Sequence, residues 1–390
     1  MPERADIAEV LGLAQVTELT SQLVSIDSVN PDLVPGGAGE REIAGFVAQW
    51  MTDHGLEVEI VESGRPGRPN VVAVAKGTGG GQTLMLNGHL DTVGIDVIED
   101  GLTPRVEESR LYGRGASDMK GGVAALMLAA ADAASRDLRG DLIFTGVADE
   151  EYRSLGTEAI ARRFRADAAI VGEPTGLRLG LAHKGFVWIE VETDGFAAHG
   201  SRPDLGIDAI AKMGPVLVGL DRLGSHLAAG RRHPLVGTGS VHASLITGGH
   251  EISTYPSRAQ LVAERRTVPG ETDAAVLAEI ETLLRDIARV DPAFHGRARI
   301  TFSRMPLDVS VDAPISRTVG TAFESTVGRQ PEIVGMTYWT DAALLAEAGI
   351  AAVVFGPIGE GDHSAVEWVD LRSVETCRRV VAAAAVAFCG

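Results

Sequence analysis

Apolar and polar positions alternate in blocks through the first 180 residues. Residues 7–27 and 39–54 read as helices, and the second runs into Asp53-His54-Gly55, where glycine suits a left-handed cap. Apolar runs near 57–62, 70–76 and 83–89 read as strands, followed by an Ala-, Leu- and Met-rich helix over 121–134. A strand over 141–148, a helix over 155–164 and a strand over 168–172 complete the series. Near-continuous apolar strands separated by helices predict a sheet covered on both faces.

The texture changes at about residue 181. From Lys184 to Thr193 the chain alternates like a half-exposed strand, with Phe186, Trp188, Glu190 and Glu192 on one side and Val187, Ile189 and Val191 on the other. A helix over 207–229, strands near 239–247 and 258–267, a helix over 271–290 and a strand over 297–302 give the order βαββαβ. That order is the ferredoxin-like, split-βαβ plan, and about 120 residues suit one small domain. Beyond residue 305 the α/β texture returns, with an apolar strand over 351–355. The expected organisation is a first α/β domain in two parts, 1–181 and 305–390, interrupted by an inserted α+β domain over 182–304.

Composition narrows the function. A chain of 390 residues suits two domains, and 45% hydrophobic with 23% charged residues is ordinary for a globular protein. A net charge of -18 argues against nucleic acid as a partner, since such binding needs a basic patch. Cys377 and Cys389 form neither a disulfide framework nor a CxxC metal knuckle and read as reduced thiols. The N-terminal segment carries acids where a signal peptide needs positive charge, and no apolar run approaches the roughly 20 residues that span a bilayer. A cytoplasmic protein with no membrane partner is expected.

The chemistry collects where apolar runs stop. Glu150-Glu151 ends the run Leu142–Ala148, and adjacent carboxylates have no use inside a strand, because burying charge is costly without compensation. Neighbouring strand side chains also point in opposite directions, so the two acids serve different tasks. His89-Leu90-Asp91 and Glu173 end two further runs. If the segment stays extended, Asp91 can hold one ring nitrogen of His89 and leave the other for a metal; alone, each residue also suits a turn or a satisfied core histidine. Asp118 lies in the glycine-flanked Gly113–Gly122 loop, where it either caps the following helix or bridges two metals through its two oxygens. Glu173 precedes Pro174, so a simple turn acid is its other reading. His363, far along the chain, supplies a second histidine. Its neighbour Ser364 invites a Ser-His-Asp alternative, but the chain has no GxSxG elbow. The Gly77–Gly81 stretch lacks the strand and helix of a nucleotide loop and reads as a turn.

Taken together, Gly88-His-Leu-Asp91-Thr-Val, Gly113-Arg-Gly-Ala-Ser-Asp118-Met-Lys-Gly-Gly, Asp149-Glu-Glu151, Gly172-Glu-Pro and Gly361-Asp-His363 resemble the M20 metallopeptidase family. The resemblance spans nearly the whole chain. It implies a mixed-sheet α/β/α zinc-hydrolase domain with an inserted ferredoxin-like lid and dimerisation domain. It also implies two divalent ions, zinc first and cobalt second. His89, Asp118 and Glu173 would hold one ion, and Asp118, Glu151 and His363 the other. Glu150 would be the general base acting with a metal-bridging hydroxide, and Asp91 would orient His89. Three ligand carboxylates and one hydroxide would balance the two divalent ions. A cis Asp118–Met119 peptide is part of the same resemblance.

In the inserted domain, Gly195-Phe-Ala-Ala-His199-Gly resembles a family motif whose histidine reaches the partner subunit's site, which implies a homodimer. Arg266, in Arg-Thr-Val-Pro-Gly270, either grips a substrate carboxylate, as the family pattern implies, or closes a strand-end salt bridge. Ser253 stands where many relatives carry asparagine, and Met336–Asp341 replaces a more glycine-rich loop; there Tyr338 and Trp339 either line a specificity pocket or simply pack. The glutamate at position 173 resembles deacylases and carboxypeptidases more than aminopeptidases or dipeptidases. The leading expectation is therefore hydrolysis of an N-acyl amino acid, of the acetylornithine or succinyl-diaminopimelate kind. A carboxypeptidase or dipeptidase, acting on a short peptide, is the alternative, and a non-catalytic binding module on the same fold is the different-class one.

Overall fold

In a computed structural model, residues 3–390 are described, with side chains from Val10 onward. The chain divides into two compact units. The first comprises 1–181, 309–334 and 340–390; the second comprises 182–308 and 335–339.

The first unit is built on a mixed sheet. Strands Glu57–Glu62, Pro69–Ala75, Leu142–Val147, Leu84–His89, Ala168–Val171, Ala351–Val354 and Leu179–His183 lie side by side in that order. The four central strands run parallel, and antiparallel pairs flank them on either side. Every residue of Leu84–His89 and Leu142–Val147 is buried, as expected for strands covered on both faces. Leu84 and Leu86 join a core with the helices Glu3–Ser25, Arg41–Asp53, Gly121–Ala134, Pro314–Val327 and Leu371–Cys389. Helices Leu155–Arg163 and Ala342–Glu347 contact strands of the sheet and each other. Gly121–Ala134 is apolar nearly all round because it is buried nearly all round. Its second residue, Gly122, sits so close to the strand end that an added Cβ would lie 2.0 Å from the Gly172 carbonyl oxygen. Cys377 and Cys389 are free thiols buried in the C-terminal helix.

The parallel centre explains why the acidic and histidine motifs meet. Leu84–His89 pairs with Leu142–Val147 on one side and with Ala168–Val171 on the other, all in the same direction. The chain therefore leaves the middle strand toward one side and later returns to the other, a switch point at which side chains beyond the strand ends converge. His89, the Glu150-Glu151 pair and Glu173 each lie at or just past one of these carboxyl ends.

The second unit has strands in the order Ser240–Gly248, Arg258–Thr267, Gly185–Asp194, His295–Arg304, all antiparallel. With helices Ala209–Ala229 and Asp273–Val290 this is the split-βαβ arrangement. Val187, Ile189 and Val191 are buried against Met213, Val216, Leu220, Ile280 and Leu284. The opposite residues carry Phe186, Trp188 and Phe302 in mutual ring contact, and Arg299 donates to both oxygens of Glu190 at 2.8 Å. Gly335–Trp339 belongs with this unit: Lys184 N–H donates to the Met336 carbonyl and the Trp339 indole to the Met305 carbonyl.

Candidate metal centre

His89 is almost fully buried, and its ring is held between two partners. Nδ1 faces the backbone carbonyl of Asp91 at 2.9 Å, while the Asp91 carboxylate stands 3.7 Å away. The contact expected from the Asp91 side chain is thus made by the carbonyl of the same residue. The Asp91 carboxylate instead accepts the backbone N–H groups of Glu150 at 3.1 Å and Glu151 at 3.3 Å and the Asn30 amide at 2.8 Å. Asp91 thereby ties the histidine strand to the glutamate loop.

The other ring nitrogen of His89 lies 2.9 Å from Asp118 Oδ1 and 3.7 Å from Glu173 Oε1. Asp118 offers its second oxygen, Oδ2, to His363 Nε2 at 3.3 Å, and His363 Nε2 is 3.0 Å from Glu151 Oε2. Asp118 thus stands between two groups, one oxygen toward each histidine. Ligand atoms of His89, Asp118 and Glu151 lie within 4.8 Å of one another, and so do those of His89, Glu150 and Glu173. Distance alone leaves Glu150 and Glu151 equivalent as ligands; the contact of Glu151 with His363 separates them. The Asp118–Met119 peptide is cis, and both residues have left the helical conformation.

The charges at this place are unbalanced in a way that suits cations. Burial, and then the neighbouring Glu173, push the Glu150 carboxyl well above the usual range. Burial and then Asp118 push Glu151 up to about 7, and Glu173 is also raised chiefly by burial. Burial works against the charge on Asp118, yet hydrogen bonds from His363 and His89 hold it well below the ordinary carboxylate range. The same contacts, from Asp118 and then Glu151, raise His363 to about 10. Buried and half-buried carboxylates gathered around one buried and one exposed imidazole are a hard-oxygen and nitrogen donor set, which suits divalent ions of the zinc type.

Two further acids, Glu367 and Asp341, complete the place. Glu367 is buried and accepts from Gly115 N–H at 3.0 Å, Ser117 N–H at 3.0 Å, Asp118 N–H at 3.1 Å and Arg114 Nη1 at 2.6 Å. Asp341 is buried and accepts from Thr157 at 2.6 Å, and burial raises its carboxyl to about 6. A lone charged residue in a loop gives no local signal of its burial. His199 and Arg266 belong to the second unit. His199 is in contact with the Ser201 hydroxyl at 2.8 Å and bridges to Thr254. Arg266 donates from Nε to Glu264 at 2.6 Å and lies over the Phe186 ring.

A cluster of imidazoles and carboxylates at the carboxyl ends of parallel strands is the donor set of a metal-dependent hydrolase. The chain belongs to peptidase family M20/M25/M40, whose sequence pattern matches residues 85–387. It is similar to an acetylornithine deacetylase from Myxococcus xanthus, 33% identical over 97% of both chains. It is also similar to an N-formyl-4-amino-5-aminomethyl-2-methylpyrimidine deformylase from Bacillus subtilis, 28% identical over 96% of this chain and 95% of the other. Among solved structures, the fold is similar to the YXEP protein of Bacillus subtilis, a dinuclear metal-binding M20 peptidase. That likeness has a TM-score of 0.74 at 17% identity, covering 97% of this chain and 99% of that one. No helix among the described residues is long and apolar enough to cross a membrane.

Proposed function

We propose that the protein is a di-zinc deacylase that hydrolyses the amide bond of a small N-acyl amino acid, with N-acetylornithine the first candidate. The observation that carries the metal reading is Asp118 with one oxygen toward each histidine. In this reading His89, Asp118 and Glu173 hold one ion, and Asp118, Glu151 and His363 the other. Two divalent ions bound there would bring the pKa of a water ligand to about 7 and polarise the scissile carbonyl. Glu150 takes the proton from the attacking water and delivers it to the leaving amine. Its backbone N–H, fixed on Asp91, sets where that carboxyl can reach.

The substrate class is supported by the likeness to acetylornithine deacetylases across the whole chain and by the glutamate at position 173. The second unit is assigned to dimerisation, with His199 of one copy stabilising the tetrahedral intermediate in the other and Arg266 gripping the substrate carboxylate. These roles rest on the family resemblance. The test is a panel of N-acetylornithine, N-succinyl-diaminopimelate, N-acyl-glutamate, N-formyl aminopyrimidine and simple dipeptides, assayed on protein of measured metal content. Highest kcat/KM on an N-acyl amino acid supports the assignment; highest on a dipeptide or on the formyl pyrimidine replaces it.

A further inference from the structure

Beside the two glutamates lies a buried charge network that the hydrolytic reading leaves unused. Arg68 is 5% exposed, and Glu40 and Asp149 are fully buried. Arg68 grips Glu40 with both arms of its fork, Nη2 donating to Oε1 at 2.6 Å and Nε to Oε2. Nη2 also donates to Asp149 Oδ1 at 3.2 Å, and Nη1 to Asp32 at 2.8 Å. Glu40 in turn accepts the backbone N–H of Asp149 at 3.3 Å. Asn30 spans from Asp149 Oδ1 at 3.1 Å to Asp91 Oδ2 at 2.8 Å.

Arg68, Glu40 and Asn30 each contact one residue, Asp149. Asp149 has a φ of 70°, a left-handed conformation that side-chain-bearing residues seldom adopt. Its carbonyl accepts from Arg153 N–H at 3.1 Å and Ser154 N–H at 2.5 Å. Asp149 is therefore the elbow at which the chain leaves Leu142–Val147, and the next two N–H groups are the ones that land on Asp91. A buried ion pair is weak evidence for stability, because apolar residues of similar volume often serve as well. What an apolar pair cannot do is hold both the N–H and the carboxylate of Asp149 at once.

We propose that Arg68 and Glu40 are positioning residues: they fix the Asp149 elbow and through it aim the Glu150 carboxyl at the reacting atoms. The proposal rests on Glu150 as the base. No contact joins Arg68 or Glu40 to His89, Asp118, Glu173 or His363 among the described hydrogen bonds and ion pairs, so metal binding at the ion between His89 and Glu173 is expected to survive their loss.

The test uses the full chain in three forms: Arg68→Lys, which keeps the charge and loses the fork; Arg68→Met with Glu40→Met, which removes both charges together; and Glu150→Gln. Steady-state kinetics on the best substrate of the panel, metal content per chain and amide exchange over residues 148–154 are read for each. For the two Arg68 variants kcat falls about 10- to 100-fold, the range typical of lost supporting contacts, while KM stays within about twofold. Exchange over 148–154 quickens in the metal-free protein, and exchange in Ala168–Val171 does not. Should Arg68→Lys fail to accumulate folded, the double variant decides. Unchanged kcat per metal-loaded chain, or unchanged exchange over 148–154, overturns the proposal. Wild-type turnover by Glu150→Gln instead overturns the base assignment, and the exchange readout then decides alone whether the pair sets the elbow.

Discussion

Replacing Glu367 by glutamine should loosen the metal centre without touching a ligand. The carboxylate is 1% exposed and accepts three backbone N–H groups of the Asp118 loop together with Arg114 Nη1. Arg114, equally buried, also donates to the carbonyls of Ser364 at 3.1 Å and Gly94 at 3.0 Å. One ion pair therefore ties the loop carrying Asp118 to the loop carrying His363. Glutamine keeps one acceptor oxygen but sets an NH2 group against donors on the other side, and the guanidinium loses its counter-charge. Breaking a buried pair from one side costs about 3–5 kcal/mol, and the retained oxygen favours the lower end. A loss of about 3 kcal/mol corresponds to roughly 100-fold more frequent opening of the loop. Amide exchange of Gly115, Ser117 and Asp118 in the metal-free protein reads that opening directly. Competition with a chelator should show metal affinity about 10- to 100-fold weaker. Exchange and affinity both within about twofold of wild type, as a surface substitution would leave them, would refute the reasoning.

Further outcomes follow from burial. The Lys120 ammonium is 1% exposed with the Ile26 carbonyl at 2.8 Å, and burial pushes its pKa down to about 7 from 10.5. The folded state then binds fewer protons than the unfolded state between those values, so stability gains as pH rises through this window. Denaturation midpoints at pH 7 and pH 9 should show the gain in the wild type and its absence in Lys120→Met; parallel behaviour of the two proteins would sink the idea. Gly122→Ala would place its Cβ 2.0 Å from a carbonyl oxygen and should cost about 3 kcal/mol or more. Gly45→Ala, with nothing within 4 Å on an exposed helix position, should stabilise by up to about 1 kcal/mol. Equal melting temperatures for these two variants would contradict the packing described. A thiol reagent should modify neither cysteine in the folded protein, since burial raises Cys377 and pushes Cys389 up to about 11; rapid reaction of either would contradict that burial.

Much of this was legible in the chain because the site is assembled from ends of apolar runs. His89, Glu150, Glu151 and Glu173 each close such a run, and a charge that ends a buried strand stands out against its neighbours. The βαββαβ series was equally readable, since Val187, Ile189 and Val191 keep a strict period of two. The small sheet of Gly359–Glu360, Trp368–Asp370, Arg110–Tyr112 and Arg105–Glu107 went unread, because two- and three-residue strands carry no periodicity. Glu40, Arg68, Arg114 and Glu367 were missed for a different reason. Their burial depends on loops meeting across as many as 253 positions, as Arg114 and Glu367 do, and nothing local records it. His363 lay between these cases: alone in sequence it carried little, and the family pattern supplied its place.

The central claim is that Glu150 moves the proton while its neighbour Glu151 holds metal. Measuring metal stoichiometry and turnover of Glu150→Ala on N-acetylornithine, or on the best substrate of the panel, tests it most directly. The account predicts two divalent ions per chain with kcat lowered about 100- to 10,000-fold, the usual contribution of a positioned base. Near-normal turnover, or the loss of an ion from this variant, would contradict it.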